Sequence, residues 1–275
     1  MDDAPDPGGT GAEPPAGVDT RTAHSARIWN YWLGSKDHYP VDREVGEQIR
    51  AAFPGIAAVA RAQRAFLRRA VTHLAAGAGI RQFLDIGTGL PTHGNTHEVA
   101  QAAAPEARVV YADNDPMVLA HARALLTGSR AGATDYLHAD LRDPEAVLDR
   151  AARTLDFDRP VGLLLLGVLA HVTEDAEASG VVRRLLAALP SGSHLVLCDS
   201  TAVIDPEERA AMARIWNEEG SEPRVDRSPE RIAEFFAGLE LLEPGVVSVT
   251  RWRPDPADVG SAAPVDDFGG VGRKP

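Results

Sequence analysis

Alternation between short apolar segments and helical patterns constrains the fold of this chain more than any other feature of its 275 residues. Strands that alternate with helical segments are typical of a parallel sheet with helices on both faces. The run VGLLLLGV at 161–168 is apolar throughout, which indicates a strand that is covered on both of its faces. The sequence therefore predicts a doubly wound α/β sheet, with parallel strands at 82–87, 108–113, 134–140, 161–168 and 193–200.

The segments before and after the five parallel strands set the predicted domain boundaries. Two apolar segments at 239–244 and 246–252 resemble final strands, which would give a mostly parallel sheet of seven strands. The first residues are rich in Pro, Gly and Asp and lack a periodic apolar pattern, so we expect disorder there. The predicted units are a disordered tail at 1–20, an N-terminal helical segment at 21–80, a sheet domain at 81–254 and a C-terminal tail at 255–275.

Composition narrows the classes of partner. The formal net charge of −12 disfavours nucleic acid and anionic membranes as partners. The longest apolar run, 161–172, is too short to span a bilayer, and the N-terminus lacks the pattern of a signal peptide. The single cysteine, Cys198, excludes a disulfide framework. We expect a cytoplasmic protein with a small-molecule partner, and we interpret the basic cluster at 61–70 as the solvated face of a helix.

The loop after the first strand carries a glycine turn. Ligands of parallel sheets bind at the carboxyl ends of the strands, near the point where the strand order reverses. Asp85, Gly87, Thr88 and Gly89 lie there, and glycines let a nucleotide come close to the backbone. The dinucleotide fingerprint requires a third glycine, but Thr92 occupies that position, which weakens the case for NAD. A single nucleoside is favoured, and a tight turn without a ligand is the remaining alternative.

Carboxylates follow the second and third strands. Asp113 lies 24 residues after Gly89, and an acid about 20 residues beyond a glycine loop is placed to bind ribose hydroxyls. Asn114 is the adjacent candidate, while capping of the next helix is the alternative role for these side chains. Asp140 and Leu141 are candidates for contacts with an adenine ring, and a helix cap is again the alternative.

The fourth strand ends in a glycine and is followed by a histidine. Gly167 lies at the expected rim of the ligand site, and His171 is a candidate general base. A structural histidine is the alternative interpretation of His171. His93 and His97 are four residues apart, but Gly94 interrupts the helix between them and the HExxH order is absent, so we expect no metal site.

An aromatic segment at 25–44 contains half of the chain's four tryptophans. Trp29 and Trp32 fall on helical spacing, and a cluster of polar residues follows the helix. We expect a lid that closes over a bound nucleoside, with Tyr31 and Gly34 facing it. Packing of this helix on the sheet domain is the alternative.

Taken together, these residues resemble a known family. DIGTG, then VVYADNDP, then HADLRDP is the pattern of class I S-adenosylmethionine-dependent methyltransferases. More narrowly, SARIWNYWLGSKDHYPVDRE, FLDIGTGLPTHGNTHEVAQ, LLLLGVLAHV and FFAGLELLEPGVVSVTRWRPD resemble a family of S-adenosyl methyltransferases of high-GC bacteria. Acceptors in that family are largely undefined. The four blocks match in order over about residues 22–254.

The resemblance implies a Rossmann-like sheet that ends in an antiparallel strand, for which 239–252 is the candidate. It implies S-adenosylmethionine as cofactor and in-line displacement at the sulfonium methyl. The sequence GVLAHV stands where adenine-amino methyltransferases carry Asn/Asp-Pro-Pro-aromatic, which favours a small-molecule acceptor. An NAD-dependent oxidoreductase and a non-catalytic nucleoside-binding regulator are the alternatives. By resemblance, Asp85, Gly87 and Gly89 approach the amino-acid half of the cofactor, Asp113 binds the ribose, and Asp140 with Leu141 binds the adenine.

Overall fold

A computed structural model describes residues 18–125, 129–220, 222–260 and 262–275. The disorder expected at 1–20 therefore falls outside the described residues up to residue 17. The described strands form one eight-stranded sheet in the order β3-β2-β1-β4-β5-β8-β6, with β7 beside β8. These strands are β1 Gln82–Ile86, β2 Arg108–Asp113, β3 Ala133–His138, β4 Gly162–Leu166, β5 His194–Ser200, β6 Glu240–Leu241, β7 Val247–Ser248 and β8 Asp267–Arg273.

The predicted doubly wound parallel sheet is confirmed. Strands β1 to β5 pair in parallel, and the strand order reverses between β1 and β4. Leu163 and Leu165 of β4 pack into the core on one face and Leu164 packs on the other, so β4 is covered on both faces. The described helices are α1 Ser25–Trp32, α2 Pro40–Ala52, α3 Ile56–Thr72, α4 Thr96–Ala103, α5 Pro116–Leu125, α6 Pro144–Ala151, α7 Asp175–Ala187, α8 Pro206–Glu219 and α9 Pro229–Glu234.

The C-terminal end of the sheet differs from the prediction. The expected final strands at 239–252 contribute only the two-residue strands β6 and β7. The strand that pairs antiparallel with β5 is β8, so the interpretation of 255–275 as a tail is wrong for 267–273. A side chain at Gly269 would place its Cβ 2.3 Å from the carbonyl oxygen of Leu197, so only glycine fits there. The glycines of DFGGVGR leave no alternating apolar pattern by which the strand is recognised.

The predicted N-terminal helical segment divides between two cores. Helices α1 and α2 pack against α8 through a cluster that includes Ile28, Trp32 and Trp216. Helix α3 belongs to both: Ile56 and Val59 join that cluster, while Phe66 and Leu67 pack on the sheet, so residues 21–80 are not one unit apart from the sheet. In the part of the chain that the structure describes, no helix has both the length and the apolar character needed to cross a bilayer.

Candidate active site

A cavity opens at the carboxyl ends of β1, β2, β4 and β5, beneath α1 and α8, and part of it is open to solvent. Tyr31 and Gly34 are not among the described residues of its wall: Tyr31 packs toward Gly46 of α2, and Gly34 follows the C-cap of α1. The other predicted site residues all line it: Asp85, Gly87, Thr88, Gly89, Asp113, Asn114, Asp140, Leu141, Gly167 and His171.

The glycine loop packs directly on the loop that follows β4. Gly87 has φ +71°, and a Cβ there would lie 2.3 Å from Cγ2 of Val168. Gly167 also has a positive φ of +75°, and a Cβ there would approach the Gln63 amide nitrogen to 2.9 Å. Both positions require glycine because L-residues rarely adopt these backbone angles. The two loops therefore form a close-fitting cradle with backbone exposed to a ligand.

Asp113 ties the end of β2 to this loop. The backbone N–H of Gly89 donates to Asp113 Oδ2 at 2.8 Å, and the N–H of Asp115 donates to Oδ1 at 3.0 Å. Burial raises the pKa of the Asp113 carboxyl above its ordinary value. Each carboxylate oxygen has two lone pairs, so both oxygens can still accept from ribose hydroxyls. The structure places Asp113 where the sequence predicted a ribose-binding acid.

An acid and a cation, Asp85 and Arg64, lie near the buried end of the glycine loop. The capping box of Asn95 and Glu98 starts α4, and the Thr96 hydroxyl then donates to Asp85 Oδ2 at 2.6 Å. Burial raises the pKa of Asp85 to about 6, against the effects of the Thr96 hydrogen bond and of the nearby Arg64. A carboxyl group and a guanidinium at this point complement the ammonium and carboxylate of an amino acid.

Arg64 is a site residue that sequence reasoning missed. The interpretation of 61–70 as a solvated face is wrong at this position, because Arg64 lines the cavity. Its Nη2 donates to the Gly94 carbonyl at 2.9 Å, while its Nε is buried without a hydrogen-bond partner. An unpaired buried guanidinium nitrogen beside a cavity fits an anionic ligand group, such as the α-carboxylate of a methionine moiety. These residues therefore fit S-adenosylmethionine.

The mouth of the cavity holds the predicted adenine contacts. Leu141 is buried and Asp140 is exposed. Arg142 lies beside Asp140, with its backbone N–H donating to Oδ1 at 2.8 Å and its Nη1 3.3 Å away. The Arg142 Nη2 also donates to the His171 carbonyl at 2.6 Å. Arg142 thus joins the loops that follow β3 and β4.

His171 lies within the wall but is poorly suited to accept a proton at neutral pH. Its Nδ1 is 3.2 Å from the carbonyl oxygen of Pro223 and 3.9 Å from Glu222 Oε2. Burial, followed by the charge of Arg224, lowers the pKa of His171 to about 4. The ring is therefore neutral at pH 7, and with Nδ1 protonated it donates to Pro223.

A segment after α8 bridges the cavity and was not found from the sequence. Glu222 Oε1 accepts from Asn114 Nδ2 at 2.7 Å, and Oε2 accepts from the Ser25 hydroxyl at 3.3 Å. One side chain thereby connects α1 with the loop that follows β2. The surrounding sequence, EPRVDRSPE at 222–230, is charged but carries no recognisable motif.

The deep end of the cavity lies where β5 ends and β8 begins. The Asp267 side chain is buried there, and the Gln63 amide donates to its Oδ2 at 3.1 Å. Its Oδ1 is buried and has no partner within hydrogen-bond geometry, although the Cys198 thiol lies close enough to the carboxyl to lower its pKa. Burial and the charge of Asp199 raise the pKa of Asp267 to about 7, although the Gln63 hydrogen bond opposes the shift. This acid was missed because the sequence around it was interpreted as a tail.

Fold and site together define a class of protein. A 3-2-1-4-5 parallel sheet with a glycine loop after β1, an acid after β2 and an antiparallel strand beside β5 is the Rossmann-like arrangement of S-adenosylmethionine-dependent methyltransferases. The chain belongs to the S-adenosyl methyltransferase family, whose profile matches residues 11–275. It is therefore an S-adenosylmethionine-dependent methyltransferase, as the sequence predicted, and its acceptor is not identified.

Solved structures agree with this assignment. A DUF574 family protein from Streptomyces avermitilis is 46% identical, with a TM-score of 0.90 over 94% of this chain and 99% of that one. A candidate methyltransferase from Thermobifida fusca is 40% identical, with a TM-score of 0.86 over 95% and 98%. An O-methyltransferase family 2 protein from Planctomyces limnophilus shares the fold at 19% identity and TM-score 0.51, over 90% and 65%. No functionally curated protein shows significant similarity.

Proposed function

We propose that this enzyme transfers a methyl group in line to a small-molecule acceptor that binds in the deep end of the same cavity. The observation that carries this proposal is the continuity of the cavity, whose wall runs from Asp113 and Gly89 to Ser200 and Asp267. One space therefore accommodates a nucleoside at β1 and β2 and a second molecule at β5 and β8.

The residues of the β1 and β2 loops have separate binding roles in this proposal. S-adenosylmethionine supplies an electrophilic methyl on sulfur, so the protein mainly has to orient two molecules and exclude water. Asp113 accepts from the ribose hydroxyls, and Arg64 and Asp85 hold the amino-acid carboxylate and ammonium. Asp140 and Leu141 contact the adenine at the mouth.

The first helix closes the cavity in this proposal. Ser25 and Trp29 of α1 line it, and the Ser25 hydrogen bond to Glu222 holds the helix against the bridging segment. This supports the lid interpretation of α1, although Tyr31 faces α2. A cytoplasmic location also remains a proposal; the buried free thiol of Cys198 is compatible with it.

Calorimetric titration tests the cofactor roles. S-adenosylhomocysteine is expected to bind the wild type, whereas NAD is not, because Thr92 replaces the third glycine of the dinucleotide loop. Asp113→Asn removes the charge that accepts from the ribose, which corresponds to a loss of about 1.5–3 kcal/mol, or roughly 10-fold or more in affinity. Asp149→Asn, on the exposed face of α6, is the matched control. Binding of NAD but not of S-adenosylhomocysteine would refute the proposal. Product binding without methylation of any tested acceptor would favour a regulator.

A further inference from the structure

Two arginines in the deep end of the cavity share one carboxylate. Arg209 forms an ion pair with Asp226, and Arg224 Nη2 lies 3.9 Å from the same acid. The side chains of Arg209 and Arg224 are only 1% and 8% exposed. Each guanidinium has a buried Nε without a hydrogen-bond partner. Two buried guanidinium groups with unused donors therefore share one directly paired acid in this part of the wall.

The neighbouring acids lie near these arginines without using their Nε donors. Asp199 is bonded to Arg227, whose Nη1 lies 2.9 Å from Asp199 Oδ2, and the charges of Asp199 and Asp267 partly offset the lowering of the Arg224 pKa. Burial first, and then repulsion from Arg209, lowers the pKa of Arg224 to about 10. A bound anion would relieve that repulsion and use the free donors, and guanidinium groups bind carboxylates in paired hydrogen bonds.

The same region offers one acceptor and an apolar wall. Asp267 Oδ1 has no partner, while Gln63 fixes the orientation of the other oxygen. Ser200, the register partner of Asp267, accepts from Arg224 Nη2 at 2.8 Å, which connects the cationic and acidic groups. The ring of Trp216 lines the cavity with the Arg224 guanidinium 4.9 Å from its centroid.

From these groups we infer that the methyl acceptor is a small hydroxy acid: Arg209 and Arg224 hold its carboxylate, and Asp267 takes the proton of the hydroxyl that is methylated. This inference rests on the proposed function. A carboxylate held by two guanidinium groups has its lone pairs engaged and is a poor nucleophile, so the methyl goes to the second oxygen group. Trp216 packs against the apolar body of the acceptor.

The transfer balances without any further reactant. The hydroxyl oxygen forms a bond to the methyl carbon as the sulfur–methyl bond breaks, and the electron pair of that bond stays on sulfur. The sulfur-containing product, S-adenosylhomocysteine, is a thioether without charge on sulfur, and the acceptor becomes a methyl ether. The hydroxyl proton moves to Asp267 Oδ1 and later leaves to water, so the acid returns to its ionised form.

Matched acid and amide pairs test the carboxylate site. The probes are 4-hydroxybenzoate, 3-hydroxybenzoate and 3-hydroxybutyrate, each beside its uncharged amide, titrated into full-length protein saturated with S-adenosylhomocysteine. At least one acid is expected to bind roughly 10-fold or more tightly than its amide, the difference of one charge-assisted pair. Arg224→Gln should abolish that preference, and Arg184→Gln, an exposed arginine of α7, should keep it.

Several outcomes would overturn the inference. They are equal binding of acids and amides, no binding of any acid, or an acid preference that survives in Arg224→Gln. The comparison within the wild type stands even if Arg224→Gln does not fold, and binding of S-adenosylhomocysteine shows whether it has folded. If the wild type itself does not bind S-adenosylhomocysteine, the proposed function fails and this inference falls with it. If it binds S-adenosylhomocysteine but no acid, only the inference fails.

A second variant tests the proton acceptor. With the acid of highest affinity as acceptor, Asp267→Asn should still bind the acid but lower single-turnover methyl transfer about 100-fold or more, the contribution of a general base. An unchanged rate would remove Asp267 from this role. Failure of the wild type to methylate any bound hydroxy acid would overturn the inference as a whole.

Discussion

Asp267→Asn is expected to stabilise the folded protein at alkaline pH while it removes a group of the active site. In the unfolded chain this carboxyl ionises near the ordinary pKa of 3.8, whereas burial in the folded protein raises its pKa to about 7. Because the pKa of Asp267 is higher in the folded protein, its protonated carboxyl contributes fully to the free energy of unfolding below about pH 4, and this contribution is lost as the pH rises to 7. Above pH 7 the folded protein must hold a buried carboxylate.

The size of this effect on the free energy of unfolding follows from the difference between the folded and unfolded pKa of Asp267. A change from 3.8 to about 7 corresponds to roughly 4 kcal/mol at about 1.4 kcal/mol for each pH unit. The Asp267 residue is 2% exposed, so water screens little of this cost. Asparagine cannot ionise and keeps an acceptor for Gln63, but its amide leaves a buried donor unpaired, at about 1–3 kcal/mol. The net expectation at pH 8 is a gain of about 1–3 kcal/mol, and at pH 4 no gain.

Urea unfolding at pH 5, 6, 7 and 8 measures this difference. Asp85 also has a pKa raised to about 6 by burial, but its effect is common to both proteins and cancels. Burial raises the pKa of Asp199 to about 6 as well, and because Asp199 and Asp267 repel each other, removal of the Asp267 charge adds to the pH-dependent difference in the same direction. Asp149→Asn should show no such trend because its side chain lies on an exposed position. A stability difference between Asp267→Asn and the wild type that does not change between pH 5 and 8 would refute the reasoning. Higher stability together with lost methyl transfer is the pattern of a residue kept for function.

Three further predictions concern the β1 and β4 loops and Arg64, the arginine of α3 that lies beside the β1 loop. Arg64→Gln should weaken S-adenosylhomocysteine binding roughly 10-fold, as measured by calorimetry. Arg61→Gln, at an exposed position of the same helix, should not. Equal effects of the two changes would contradict the proposal that Arg64 binds the α-carboxylate. His171→Gln should leave the pH profile of methyl transfer between 6 and 9 unchanged, because the pKa of His171 is lowered to about 4; loss of an ionisation near 6.5 would contradict this. Gly87→Ala should unfold at lower temperature than Gly94→Ala, since both have positive φ but only the former meets Val168; equal losses would show that the contact is unimportant.

The five parallel strands and the residues just after them were predictable because their determinants are local. Each strand is a short apolar run with a turn residue behind it, and parallel strands bring their carboxyl ends to one edge. Asp85, Gly87, Asp113 and Gly167 therefore meet although they span more than eighty positions of sequence. No contact between helices had to be known to place them at one cavity.

The residues of the deep end depend on contacts that no local pattern encodes. β8 carries glycines where β5 approaches closely, so the strand that delivers Asp267 lacks an apolar pattern. Arg64 was not recognised from the sequence because its helix carries several basic residues. Only the packing of α3 directs this arginine toward the cavity. Tyr31 and Trp29 are two residues apart on α1, yet the rotation of that helix between α2 and α8 places only Trp29 in the cavity wall.

The sequence by itself thus determined the five parallel strands, the cofactor class and the loops that we propose bind the nucleoside, because periodicity and glycine turns act over a few residues. Tertiary structure alone decided the proposed acceptor end. Its acid, its two arginines and its bridging glutamate come from β8, α8 and the segment after α8, and the free energy that brings them together is the burial of side chains far apart in sequence.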